Sequence, residues 1–118
     1  MNQLAVGMQA SVQRVYDHNL VNAYAELCGD QVGETVPEPL IGALFSYLLG
    51  VELPGSGSVY LKQDFTFADT ARIGELLTAT VTITHIRADK PLITLRTLCT
   101  GADGQVIADG EALVMAPR

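Results

Sequence analysis

The residues best able to do chemistry stand in one stretch, CGDQVGETVPEPLIGALFSYLLG, from Cys28 to Gly50. Asp30 follows a glycine on a tight corner, and Glu34 and Glu38 come shortly after it. A carboxylate in such a loop can act as a general base on water, and two close carboxylates push their pKa values apart into an acid and a base. The same residues have a plainer reading. An Asp after a helix-ending glycine is ordinary turn chemistry, and glutamates ahead of a helix are favourable partners for its dipole. Ser46 lies deeper in the stretch, where a packed hydroxyl needs a hydrogen-bond partner in any fold. His18 falls in the opening turn of a predicted helix, and His85 falls by alternation on the apolar face of a predicted strand.

The elements that must carry these groups belong to a chain of 118 residues, a length that suits a single domain over residues 1–118. Hydrophobic residues make up 48% of it, so part of its apolar surface is expected to be buried against a second subunit. The formal charge of -6 argues against nucleic acid as a partner, since that needs a basic stripe to neutralise phosphates. Cys28 and Cys99 are too few for a disulfide framework and read as small buried hydrophobes in a reducing compartment. No Cys/His cluster has zinc-site spacing, and no metal is expected. The N-terminal MNQLAVGMQASVQRVYDH lacks the basic start and continuous apolar core of a signal peptide. The apolar run from Leu40 to Val51 is too short and too interrupted to span a bilayer. A soluble, cytoplasmic protein with no membrane partner is the expectation.

Along the chain, MQASVQRVY alternates as a first strand. Asp17 makes an N-cap, Leu20, Ala23, Tyr24 and Leu27 recur at helical spacing, and Gly29 stops that helix in a left-handed turn. A second helix begins near Pro39 and runs through LIGALFSYLL to Gly50, apolar around almost its whole circumference, as in a helix buried on all sides. In VYLKQDFTF, Val59, Leu61, Phe65 and Phe67 share one predicted face, and Tyr60, Lys62, Asp64 and Thr66 the other. In LLTATVTITHI, Ala79, Val81, Ile83 and His85 oppose a row of threonines. ADKP and Asp103-Gly104 then turn the chain into two more strands. The pattern predicts an α+β architecture, an antiparallel β-sheet wrapped around one central hydrophobic α-helix, with a bare edge that invites dimerisation.

Several motifs carry a family resemblance. They are the segment from Leu53 to Gln63, the Ile73 to Glu75 turn, the Arg87 to Pro91 turn, and the ending from Asp103 to Ala112. Together they resemble the MaoC-like hydratases, and most closely the (R)-specific enoyl-CoA hydratases. The resemblance implies a hotdog fold, a homodimer, and an acyl-CoA thioester bound at the subunit interface, with CoA entering as part of the substrate and no separate cofactor. In that family an Asp and a His in a D-x-N-P-x-H loop hold a water between them. A backbone N–H at the head of the central helix polarises the thioester carbonyl, and a serine on that helix steadies the Asp.

By this resemblance AYAELCGD places Asp30 at the catalytic aspartate, and Ser46 takes the place of the steadying serine. The rest of the motif departs from the pattern. Thr35 stands at the spacing of the His, Pro37-Glu38 replaces the family's His-Gly, and the helical segment between the two motifs is absent. Glu34 and Glu38 are candidate replacement carboxylates. Lys62, Arg87 and Lys90 are candidate contacts for the CoA phosphates, against the plainer reading of solvated charges. Tyr60 and Phe65 read as sheet packing or as part of a ligand box. Pro37 and Pro39 carry no N–H, so they remove donors from the expected oxyanion hole. The resemblance implies a reversible hydratase weakened at its catalytic dyad. Two alternatives stand beside it: a non-catalytic acyl-CoA binder or inactive partner subunit, and a thioesterase in which Asp30, Glu34 or Glu38 activates water.

Overall fold

The computed structural model describes residues 4–29 and 33–117. Strand β1 (Gln9–Val15) leads into helix α1 (His18–Cys28), and helix α2 (Glu38–Tyr47) continues as a wider π turn, Leu48–Glu52. Strands β2 (Val59–Phe67), β3 (Leu76–Ile86), β4 (Leu92–Thr100) and β5 (Val106–Met115) follow. They form one five-stranded sheet in the order β1-β3-β4-β5-β2, and every neighbouring pair is antiparallel. The predicted α+β architecture is the one adopted. The sheet ends in β1 on one side and β2 on the other, so an open sheet of one chain has two edges where one was expected.

The local signals explain these boundaries. Asp17 caps α1 by accepting the Leu20 N–H at 2.8 Å, and Gly29 ends it at φ 75° with its own N–H on the Ala25 carbonyl. α2 begins with prolines at positions 37 and 39, which suit a first turn because they lack the N–H that would otherwise be orphaned. Its Ile41, Leu44 and Phe45, with Leu48 and Leu49 of the π turn, press into the sheet. They meet Leu77, Ala79, Val81 and Ile83 of β3, Ile93 and Leu95 of β4, and Ala112 and Val114 of β5. Among the described residues no helix is long and apolar enough to cross a membrane.

Four further expectations are corrected. α2 is not buried on all sides: Ala43, Ser46 and Gly50 are exposed, with Tyr47 46% and Val51 58% accessible, because one sheet reaches only one side of the helix. α1 buries Val21 and Ala25, while Leu20 is exposed and Leu27 is 87% accessible. Two interleaved stripes satisfy the same helical period there, and alternation alone does not choose between them. Cys28 is exposed, unlike the buried Cys99.

The fourth correction comes from two β-bulges, each of which inserts one unpaired residue and turns the following side chains over. One lies between Tyr60 and Lys62, so Tyr60 pairs with the buried Val114 and shares its face with Gln63, Phe65 and Phe67, while Val59 and Lys62 share the opposite face. The other lies between Ile83 and His85, so Ile86 takes the core side and His85 stands exposed beside Thr94 on the outer face.

Candidate functional site

The site region is built where α1 ends and α2 begins. Asp30, the expected catalytic acid, lies outside the described residues, immediately beyond the Gly29 turn. The chain is next described at Gly33, and residues 34–36 lie against residues 71–73 as a short antiparallel pair. The Val36 N–H donates to the Ala71 carbonyl at 2.8 Å, the Ile73 N–H donates to the Glu34 carbonyl at 3.2 Å, and Thr35 bridges Arg72. Val36 is buried among core residues, whereas Glu34 and Thr35 face solvent. The shortened segment is thus tied into the fold by backbone hydrogen bonds and one apolar anchor.

From there the chain enters α2. Pro37 and Pro39 offer no N–H, and Leu40 gives its own to the Pro37 carbonyl at 3.0 Å. Glu38, between them, is exposed at the positive end of the helix dipole, where a carboxylate is stabilised. The Tyr16 hydroxyl donates to the Leu40 carbonyl at 2.6 Å and fixes the first turn from below. Burial holds the Tyr16 hydroxyl above its ordinary pKa, which keeps it a donor. Ser46 sits further along on the flank of α2 that the sheet of its own chain leaves uncovered.

The expected substrate contacts divide into two groups. Tyr60, set on the core side of β2 by its bulge yet 39% accessible at the sheet edge, donates to Gln63 Oε1, and partial burial pushes its pKa up to about 12. Gln63 Nε2 in turn donates to the buried Thr97 Oγ1 at 3.1 Å, the Glu111 carbonyl at 3.0 Å and the Asp64 carbonyl at 2.7 Å. This polar chain crosses from β2 over β5, at side-chain-free Gly110, to β4. Lys62 is exposed, 4.0 Å from Asp64, and Lys90 is exposed in the turn between β3 and β4. Arg87 beside it is occupied by two hydrogen bonds to Asp89. Phe65 packs against Phe45 and Phe67 with ring centroids 5.4 and 5.7 Å away. His18 and His85 are both exposed, the first on α1 and the second on the outer face of the sheet.

Two residues that hold this region were not singled out from sequence. Tyr16 follows the first strand and looks like one more aromatic. Glu75 was seen only as part of a motif, yet its carboxylate accepts three hydrogen bonds, from the Arg72 N–H, the Ala102 N–H and Gln105 Nε2. These donors hold its carboxyl below the usual glutamate range, the Arg72 backbone contact contributing most. The signal that could have exposed Glu75 is Gly101: a Cβ there would fall on Glu75 Oε2 and Gln105 Nε2.

An antiparallel sheet packed on one apolar helix is the arrangement of the hotdog fold. No family profile matches the chain. Individual relatives do. The solved structure of an (R)-hydratase from Aeromonas caviae involved in PHA biosynthesis superimposes with a TM-score of 0.93 at 33% identity, over 99% of this chain and 100% of that one. An (R)-specific enoyl-CoA hydratase of Rhodospirillum rubrum is 45% identical over 78 residues, 66% of this chain. That match takes in 54% of the relative, so the chain spans about half of its length. A 3-hydroxybutyryl-CoA dehydratase of Methylorubrum extorquens is 29% identical over 130 positions, more than the 118 residues of the whole chain. That relative therefore carries residues with no counterpart here, in keeping with a shortened segment. The chain belongs to the MaoC-like family of (R)-specific hydratases.

Proposed function

We propose that the protein acts on acyl-CoA thioesters as an (R)-specific enoyl-CoA hydratase, adding water reversibly to a trans-2-enoyl-CoA, at a rate reduced by the missing histidine. The observation that carries this reading is the end-to-end superposition on the (R)-hydratase of Aeromonas caviae. In the proposed reaction Asp30, steadied by Ser46, takes a proton from water, and the hydroxyl adds to the β-carbon. A backbone N–H at the head of α2 receives the charge that develops on the thioester oxygen. With Pro37 and Pro39 unable to donate, that role falls to Glu38. Thr35 carries no imidazole, so the Asp30 carboxyl group must also return the proton to the α-carbon. Loss of a positioned proton-transfer group lowers rates by about 10²–10⁴-fold.

The working form is a homodimer in the cytoplasm. In support, Tyr47 and Val51 on the bare flank of α2 and Val59, Tyr60 and Leu61 at the start of edge strand β2 are all exposed. A second copy would cover them and pair the free edge. Lys62 and Lys90, both exposed, remain the proposed phosphate contacts.

A second reading, an acyl-CoA binder or inactive partner subunit, is favoured by the two prolines at the head of α2. The test is to offer crotonyl-CoA to the purified protein, following loss of the enoyl absorbance and release of free thiol in parallel. Slow hydration that disappears in Asp30→Asn supports the hydratase. Thiol release without hydration shifts the assignment to a thioesterase. A rise in melting temperature with acyl-CoA but no turnover leaves the binder.

A further inference from the structure

The shortened segment is pinned to a turn that is itself pinned from a distance. Residues 71–73 carry the segment through the Ala71 and Glu34 carbonyls, as described above. The same turn closes with the Glu75 N–H on the Arg72 carbonyl at 3.1 Å, while Glu75 Oε1 accepts the Arg72 N–H at 3.0 Å. Glu75 Oε2 accepts the Ala102 N–H at 2.9 Å and Gln105 Nε2 at 3.0 Å, both from the hairpin turn between β4 and β5. The Gly74 N–H donates to the Tyr16 carbonyl at 2.9 Å, and the Tyr16 hydroxyl reaches the Leu40 carbonyl in the first turn of α2. One carboxylate thus joins the 101–105 turn to a platform that supports both the shortened segment and the helix head. Charge-assisted bonds from three donors make it a stiff joint.

We propose that Glu75 is a positioning residue for the candidate site: its carboxylate fixes the 71–75 turn as the platform for residues 34–36 and for the head of α2. Residues 34–36 take their rigidity from this platform, through the backbone hydrogen bonds of Val36 and Glu34 to the 71–73 turn. Gly101 belongs to the device, because any side chain there displaces the carboxylate. The kinetic part of the test rests on the hydratase reading, and the exchange part does not.

Amide hydrogen exchange by mass spectrometry on the full chain tests this, comparing the parent with Glu75→Gln, Glu75→Asp and Gly101→Ala. In Glu75→Gln and Gly101→Ala, amides of residues 34–40 and 71–73 should exchange at least about tenfold faster, with β3 and β4 unchanged. Glu75→Asp, which keeps the charge, should restore part of the protection. For crotonyl-CoA, kcat should fall in both variants at unchanged KM, since positioning rather than substrate affinity is lost. Faster exchange confined to residues 71–75 and 101–105, with 34–40 as in the parent, overturns the proposal. If Gly101→Ala does not fold, Glu75→Gln decides alone. If the parent shows no hydration, the hydratase reading fails and the exchange data still decide the role of Glu75.

Discussion

Single residues here are constrained less by what they do than by what they leave room for. A Cβ at Gly110 would strike the Asp64 carbonyl across the β2–β5 pair, and backbone cannot step aside as a side chain can. Gly110→Ala is expected to cost about 1–3 kcal/mol or more through overpacking, seen as a lowered melting temperature in a thermal scan. Glu75 makes a pH prediction with a definite sign. Its folded pKa lies below the ordinary value of 4.5 because the backbone N–H groups of Arg72 and Ala102 favour the carboxylate. The stability it contributes is therefore complete above that ordinary value and is lost as the pH falls through the lower folded value. The stability difference between parent and Glu75→Gln, read from urea melts, should be constant near neutral pH and shrink below about pH 4. Neither constraint was legible in the sequence. Gly110 and Glu75 both stood inside motifs, but a motif names positions without saying which contact makes each one necessary.

At the scale of elements, punctuation was legible and phase was not. The Asp17 cap, the Gly29 stop, the Pro39 start and the 103–104 turn all stand where the sequence puts them, because each is local chemistry. Asp17→Ala should cost about 1 kcal/mol by orphaning the Leu20 N–H, lowering the melting temperature by about 3–6 °C. The bulges are different. An extra residue leaves strand composition untouched yet inverts the sides of Tyr60 and His85, and only the partner strand records it. Tyr60 thereby leaves the face it was expected to share with Lys62 and Asp64 and joins the hydrogen-bonded chain with Gln63 and Thr97. Deleting Leu61, the unpaired residue, should leave Tyr60 opposite Val114 and next to Lys62 in an unbroken alternation. Its raised phenol pKa of about 12 should then be retained in a spectrophotometric titration, since the partner strand and not the inserted residue sets its surroundings.

For the whole molecule, the architecture was readable because the α+β pattern, the apolar helix and the strand alternation agree with one another. What was not readable was how much of the helix one sheet can cover. The exposed band of Tyr47, Val51, Val59, Tyr60 and Leu61 beside an unpaired edge predicts association through β2. Val59→Lys should move the protein from dimer to monomer mass in light scattering, by placing a charge in the contact. A parent that runs as a monomer would contradict the proposed assembly. The bare flank of α2 carries one more consequence. If that flank is covered only by another copy, resistance to heat belongs to the solution as well as to the chain. Diluting the protein would then lower its melting temperature by mass action, although no residue had changed.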